Sequence, residues 1–578
     1  MRRTMSQEST PPSKDLGAID TPAPLAEFLV DWAIRDPADI VLDIGTGGGV
    51  FLIEAHKRLI GIGVEPDAAG RQLLGVEVDP AALDAFEHQW RSQVGGPLPN
   101  VKQADLFDTD LPTVDALVGN PPYVARTRLA QVDAIRRKVF GPEGAGKGFS
   151  RLTDLYAYFL VYASRYLRPG GRLAVIVSSS WMDANYGVGL KTFLCNQFAL
   201  EAILGFEYKI FADASVKPVL LLATKRPNTL APIDKPVRFI RVKSTFSPRI
   251  GWQALNSGGE QLVHPHFVGH TESQSRLDPT LPWGIYLKAP GVYFSLTENP
   301  RTSKLAAVAT TRIGLQTLAK EFYLLHRKRL DEVGLEPEYR EPVAFSPREY
   351  SDPVLDESVA PNWFAFYCDK PRDRLLGTQA LRHIEWGEQQ RMPARDKAIR
   401  VVGYHNQPRI QQTKRRPWYN IKAEIDRRGR LPVLIPRRMY ENYLVLWNKV
   451  GFVPNEDFIE AAPKQQRDLI PLLATLNSSY MEFMFRMHAQ VYGGGVFNLN
   501  PGPVRRVPTL DIRSLDKTER DSLQEAYAVF IEGCPGAKHV LDDAVLEILG
   551  LDEKTRGELL RALEEIRALA PKSKQRPQ

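Results

Sequence analysis

Four consecutive residues, Asn120-Pro121-Pro122-Tyr123, combine types suited to one kind of chemistry. An amine conjugated to a purine ring is a poor nucleophile, because its lone pair is delocalised into the ring. Two acceptors aimed at its two N–H bonds pull the nitrogen toward tetrahedral geometry and localise that pair. The Asn120 side-chain oxygen is one such acceptor. The Pro121 carbonyl is the other, its direction fixed by two pyrrolidine rings that each restrict φ. Both also stabilise positive charge that develops on the nitrogen as an electrophile arrives. No covalent intermediate and no strong general base are required, and Tyr123 offers a flat face for a ring to stack on. The competing reading is a Pro-Pro turn beside an exposed aromatic.

Upstream lies Val41-Leu-Asp-Ile-Gly-Thr-Gly-Gly-Gly49, a β-type run that opens into a glycine-rich turn. Gly45 and Gly47 let the backbone turn tightly and approach a ligand at the carboxyl edge of a sheet. The acidic Asp43 ahead of the glycines suits a ligand without phosphates, and its carboxylate can meet the ammonium of a methionine moiety. Glu77, at the end of Leu74-Gly-Val-Glu-Val78, is placed to accept two ribose hydroxyls. Asp105, followed by Leu106, can accept from an adenine amino group. An acidic residue at one strand end is usually just solvated; three in order at successive strand ends are a stronger signal.

The elements that must position these residues are strands alternating with helices. Ile40–Asp43, Leu74–Val78, Ala116–Gly119, Leu173–Val177 and Val219–Ala223 read as strands, while Phe51–Leu59 and Leu155–Tyr166 read as helices, the latter stopping at Arg168-Pro-Gly-Gly171. Such alternation predicts an α/β domain with a doubly wound, mostly parallel Rossmann-like sheet over residues 17–228. After Lys225-Arg-Pro-Asn228 the regularity fades into short strand candidates, frequent Pro and scattered Trp, read as an α+β domain over 229–515. Residues 516–570 read as helical, and 1–16 and 571–578 as disordered ends.

The 578 residues exceed what one hydrophobic core normally serves. A net charge of +7 and a pI near 9.0 favour an anionic partner. The charge is uneven: residues 391–440 hold 14 Lys and Arg against 3 Asp and Glu. Lys414, Arg415, Arg416, Arg427 and Arg428 are therefore expected to include phosphate contacts, the alternative being a solvated basic face. Cys195, Cys368 and Cys534 lie far apart, and no Cys/His cluster suggests zinc or a disulfide framework. No secretory signal and no apolar run of membrane-span length is found, so a cytoplasmic protein is expected.

Together these residues resemble the gamma group of N6-adenine DNA methyltransferases, the TaqI-like family, in the family's order across the first domain. The resemblance implies a class I methyltransferase domain, S-adenosylmethionine as cofactor, and a target-recognition domain after it. Thr21, in Gly17-Ala-Ile-Asp-Thr-Pro22, matches a cofactor-contacting position. Gly47, Gly49, Phe51 and Leu52 match the first motif, whereas Ile44-Gly45-Thr46 departs toward the general methyltransferase pattern. Glu77, Asp105 and Asn120–Tyr123 fall on ribose, adenine and catalytic positions. Phe159 would line the cofactor's adenine, and Phe211 would stack on the target base opposite Tyr123. Thr311–Thr317 and Leu476–Val507 resemble, more loosely, the opening and closing segments of the recognition domain. The implied activity is methylation of a flipped adenine in double-stranded DNA, in restriction–modification or phage defence, by a nucleoid-associated protein of a prokaryote. A separate restriction endonuclease or defence subunits are the implied partners, since no nuclease motif is recognised.

The same tetrapeptide serves glutamine methylation in release factors and amine methylation in ribosomal RNA. The large basic second domain argues against the first, and nothing resembles the common RNA-binding modules. A catalytically inactive DNA-specificity subunit is the non-enzyme alternative; the intact acidic and Asn-Pro-Pro-Tyr positions argue against it.

Overall fold

The computed structural model describes residues 20–123, 132–141, 148–149, 153–211, 217–227, 233–393, 400–491 and 496–568. The expected disordered ends lie outside these residues. The chain divides into two compact units, 1–291 and 292–578.

The first unit is built on a ten-stranded sheet. Its strands are β1 (Val41–Ile44), β2 (Leu73–Glu77), β3 (Asn100–Gln103), β4 (Val114–Gly119), β5 (Leu167–Ser178), β6 (Phe198–Phe206), β7 (Pro218–Lys225), β8 (Pro236–Val242), β9 (Gln261–His264) and β10 (Phe267–Ser273). They lie in the order β3-β2-β1-β4-β5-β7-β6-β8-β10-β9. The first five are parallel, and β7 runs antiparallel between β5 and β6. The central strands are almost wholly apolar because helices cover both faces, so alternation is not needed. One face is packed by α1 (Ala23–Ala33) and α2 (Val50–Gly61), with Phe28, Leu29, Phe51 and Leu52 buried against Val118, Ile176 and Leu220. The other face holds Tyr156, Tyr158 and Leu160 of the helix Leu155–Ala163 against Leu117, Val175 and Leu221.

Two expectations change here. The domain boundary lies at 291, not 228, because β8, β9 and β10 extend the same sheet: β8 pairs in parallel with β6, and β10 with β8. The run Arg168-Pro-Gly-Gly171 does not separate helix from strand. The helix ends at Ala163 and β5 begins at Leu167. Register jumps from Val114–Leu167 to Ala116–Arg172, so the Pro-Gly pair forms a bulge within the strand.

The second unit is α+β, as expected. Its largest sheet orders strands 309–313, 458–463, 433–436, 446–448 and 354–355; a four-stranded sheet orders 324–326, 363–366, 340–344 and 453–454. The helices Lys517–Glu532, Ala537–Ile548 and Glu553–Ala568 are not a separate segment. They pack with Leu469–Leu476 and Ser479–His488 as part of this unit. At the centre of that bundle Glu482 and Arg486, each about 1% exposed, pair with one another, and Arg567 closes on Glu482. The three cysteines are free thiols. Among the described residues no helix is long and apolar enough to cross a membrane, and no cluster of metal-ligating side chains occurs.

Candidate active site

The parallel strands β1 to β5 deliver their carboxyl ends to one edge of the sheet, and the expected chemical residues sit along it. Asp43 lies within β1, Glu77 ends β2, Asp105 follows β3, and Asn120 follows β4 directly. The two turns that matter are neighbours. A side chain built at Gly45 would come within 3.9 Å of Pro122 and 4.0 Å of the Asn120 carbonyl.

Asp43 is fully buried, and neither carboxylate oxygen has a hydrogen-bond partner among the described residues. Burial, and then the negative charge of Glu77, hold its carboxyl well above the ordinary range. A bare buried carboxylate is costly unless something cationic or a donor meets it. Gly119 makes room for it: its φ of +138° is one that L side chains rarely adopt, and a Cβ there would lie 2.8 Å from Asp43 Oδ1.

Glu77 is oriented by three backbone amides. Gly47 N–H donates to Oε2 at 2.8 Å, and Val78 and Asp79 N–H donate to Oε1 at 2.8 and 2.9 Å. Gly47, at φ +51°, faces open space. Asp105 is exposed and caps the short turn Leu106–Asp108 through Phe107 N–H at 2.9 Å. Leu106 is buried, and the Phe159 ring meets Phe107 edge-on at 4.9 Å. Phe107 thus links Asp105, which accepts from its amide, to Phe159, which packs on its ring.

Thr21, expected at a cofactor-contacting position, meets Asn120. The Asn120 side-chain amide donates to Thr21 Oγ at 3.1 Å, which turns the carboxamide so that the two ends of Asn120 are distinguishable. Pro121 is buried; Tyr123 is half-buried with its hydroxyl enclosed and lacking a partner among the described residues, and burial raises its pKa. Phe211 is 4% exposed and belongs to the hydrophobic cluster on which Tyr123 also packs. Its neighbours 212–216 lie outside the described residues.

One part of the site was not anticipated. The Tyr123 ring meets Tyr156 edge-on at 6.2 Å. Tyr156 OH lies 3.3 Å from Ser180 Oγ, Ser180 Oγ lies 2.6 Å from Tyr186 OH, and Tyr186 donates to Asp154 at 2.6 Å. Burial and the hydrogen bond to Asp154 push Tyr186 up to about 12, so the chain stays a relay of neutral hydroxyls ending on a carboxylate. The only sequence signal was Ser178-Ser-Ser180 at the carboxyl end of a buried strand.

Of the basic residues singled out, Arg415 and Arg428 are corrected. Arg415 is 7% exposed. Its guanidinium donates to Thr317 O at 2.8 Å, Gln316 O at 3.2 Å and Glu424 Oε2 at 2.9 Å. Arg428 donates to Ile313 O and pairs with the buried Glu460, which Arg312 also meets. Both are committed to holding the fold together. Lys414, Arg416 and Arg427 are exposed.

The strand order, with an antiparallel β7 inserted beside β5, and the acidic series along the carboxyl edge define a Rossmann-like methyltransferase unit. Comparison with known proteins shows what the chain is similar to. Residues 86–211 match the family model described as Eco57I restriction-modification methylase. The chain is 30% identical over 229 residues to the Type II methyltransferase M.XamI of Xanthomonas campestris pv. amaranthicola, covering 38% of this chain and 40% of that protein. It is 22% identical over 539 residues to the Type II methyltransferase M.AccI of Acinetobacter calcoaceticus, covering 88% and 87%. The chain is also similar to the Type IIL restriction-modification enzyme MmeI, solved in complex with DNA, with a TM-score of 0.53 at 12% identity over 94% of this chain and 75% of that one. This likeness speaks to the fold. The chain is thus similar to restriction–modification methyltransferases, and it spans 40% of the length of M.XamI and 87% of that of M.AccI.

Proposed function

We propose that this chain methylates the N6 amino group of an adenine extruded from duplex DNA, as the modifying arm of a restriction–modification or defence system. The observation that carries the reading is the pairing of two half-sites at one sheet edge. Asp43, a buried carboxylate in want of a cation, lies across the Gly119 backbone from Asn120, whose carboxamide is held by Thr21.

The residues fit the cofactor of the class. Asp43 would meet its ammonium, Glu77 its ribose hydroxyls, and Asp105 with Leu106 and Phe159 its adenine; Gly45 and Gly47 leave room for it. S-adenosylmethionine supplies a methyl group on a positively charged sulfur, an electrophile that needs no acid catalyst. The chain's own task is the amine. Asn120 Oδ1 and the Pro121 carbonyl accept its two hydrogens, and both interactions strengthen as nitrogen becomes positive. Tyr123 supplies a stacking face. Phe211, in the same apolar cluster, would stack on the opposite face of the base. Extrusion is required because an amine inside the duplex cannot reach both acceptors and the donor.

Recognition falls to the second unit, with Lys414, Arg416 and Arg427 on phosphates. The test is to digest DNA from cells expressing the protein and quantify modified nucleosides by mass spectrometry. N6-methyladenine in one sequence context, absent from an Asn120→Ala control, supports the reading. Methyl groups on cytosine or only in RNA refute it.

A further inference from the structure

The corrected role of Arg415 draws attention to what it holds. Residues 314–319 form the loop after the strand Ala309–Ile313. The loop is pinned at its start by Leu315 N–H donating to Pro454 O at 2.7 Å, and at its centre by the Arg415 guanidinium on the carbonyls of Gln316 and Thr317. Arg415 is itself fixed by Glu424 and lies 4.9 Å over the Tyr323 ring. The loop is therefore braced in the part where a surface loop is usually free.

At its tip stands Leu318. It is the one non-glycine residue with positive φ, +67°, among the described residues, and its side chain is 41% exposed. An L residue in that conformation is disfavoured by contact between Cβ and the backbone, and a large apolar side chain gains nothing from water. Two unfavourable features at one residue, in a loop braced by a buried guanidinium, suit a residue kept for contact with a partner. The flanks of the brace indicate which partner. Lys414 and Arg416, on either side of Arg415 in sequence, are both exposed. An apolar side chain on a loop braced by Arg415, whose sequence neighbours are exposed cations, matches duplex nucleic acid, whose phosphates take the cations and whose base steps admit an apolar wedge.

We propose that the Gln316–Leu318 loop is a DNA-reading wedge, with Leu318 entering a groove of the duplex and Lys414 and Arg416 on the adjoining phosphates. The proposal rests on duplex DNA being the substrate. The test uses the full-length protein, the Leu318→Asn and Lys414→Gln variants, and an oligonucleotide duplex bearing the site that modified-base sequencing identifies for the wild type. Asn tolerates positive φ, so Leu318→Asn should melt no lower than wild type while its affinity for the duplex falls about tenfold. Its log–log salt slope should be unchanged, whereas Lys414→Gln should reduce the slope by about 1. Methylation of duplexes altered at one base pair should rise relative to the preferred site in Leu318→Asn. Wild-type affinity and selectivity in Leu318→Asn, or a lowered melting temperature marking Leu318 as a packing residue, overturns the wedge alone. Absence of DNA methylation by the wild type overturns the wedge and the substrate together.

Discussion

Replacing Asp43 by Asn separates stability from cofactor binding in opposite directions. In the structure the carboxylate is fully buried and its oxygens lack partners among the described residues. Its folded-state pKa is raised above the unfolded value, by burial first and Glu77 second. The folded protein therefore binds more protons than the unfolded chain, and stability falls as pH rises from the ordinary Asp range toward the folded-state value. The Asp43→Asn variant carries no charge to desolvate at this position. Leaving a buried charged group unsatisfied costs about 1–3 kcal/mol or more. For a unit of this size that corresponds to a gain of roughly 2–12 °C in melting temperature, since each kcal/mol moves it roughly 2–4 °C. Thermal unfolding of cofactor-free wild type and Asp43→Asn from the ordinary Asp range up to about pH 8 should show a difference that widens with pH and is smallest at the acid end. Calorimetric titration of S-adenosylmethionine should show binding to Asp43→Asn weakened at least tenfold. For the wild type, binding should release protons, because an arriving ammonium favours the ionised carboxylate. A variant that is no more stable at pH 8, or that binds the cofactor as well as wild type, refutes the assignment of Asp43.

Four further outcomes follow from the same geometry. Asn120→Ala should abolish turnover while leaving cofactor and DNA affinity nearly intact, measured by single-turnover kinetics beside equilibrium binding. Thr21→Val should lower kcat by roughly two- to tenfold, the worth of one neutral hydrogen bond, with KM little changed, and Thr21→Ser should restore it; equal loss in both variants would make Thr21 a packing residue. Arg415→Ala should destabilise the second unit by at least about 2 kcal/mol in chemical denaturation, and unaltered stability would return Arg415 to the surface. A fluorescent purine at the target position should brighten on binding wild type and less so on binding Tyr123→Ala, since each base–aromatic stack contributes roughly 1–3 kcal/mol.

The parts of the fold visible in the sequence are those specified locally. Val41–Ile44 and Val114–Gly119 are short apolar runs ended by glycine, and Val50–Gly61 carries a helical stripe; all three stand where the pattern placed them. The chemical residues were legible for the same reason: a strand end fixes where its last side chain goes, so Asp43, Glu77, Asp105 and Asn120 share an edge by topology alone. What escaped reading depends on partners far along the chain. Strands Pro236–Val242 and Phe267–Ser273 follow a Pro-containing stretch that looks like a linker, and only their pairing with Phe198–Phe206 and with each other assigns them to the first unit. Ala309–Ile313 pairs with Phe458–Pro463, a partner that no local period reports.

The basic run shows why charge density is a weaker guide than motif order. Lys414, Arg415 and Arg416 are adjacent and alike in composition, yet their fates differ with the acceptors that folding brings near. Arg415 meets two carbonyls from the loop 314–319 and the carboxylate of Glu424, and a guanidinium offered that many acceptors in a dry setting has little left to give a phosphate. Lys414 and Arg416 are exposed, and the Arg416 guanidinium keeps only local backbone acceptors, the carbonyls of Thr413 and Arg415. A cationic stretch therefore reports a sum over two populations, buried braces and exposed cations. Sequence cannot separate them, because the two deciding carbonyls lie 98 and 99 residues away. The brace is not thereby less functional than the exposed cations. By fixing the carbonyls of Gln316 and Thr317 it braces the loop that holds Leu318 at positive φ, so under the wedge proposal the buried arginine would shape DNA recognition without touching DNA.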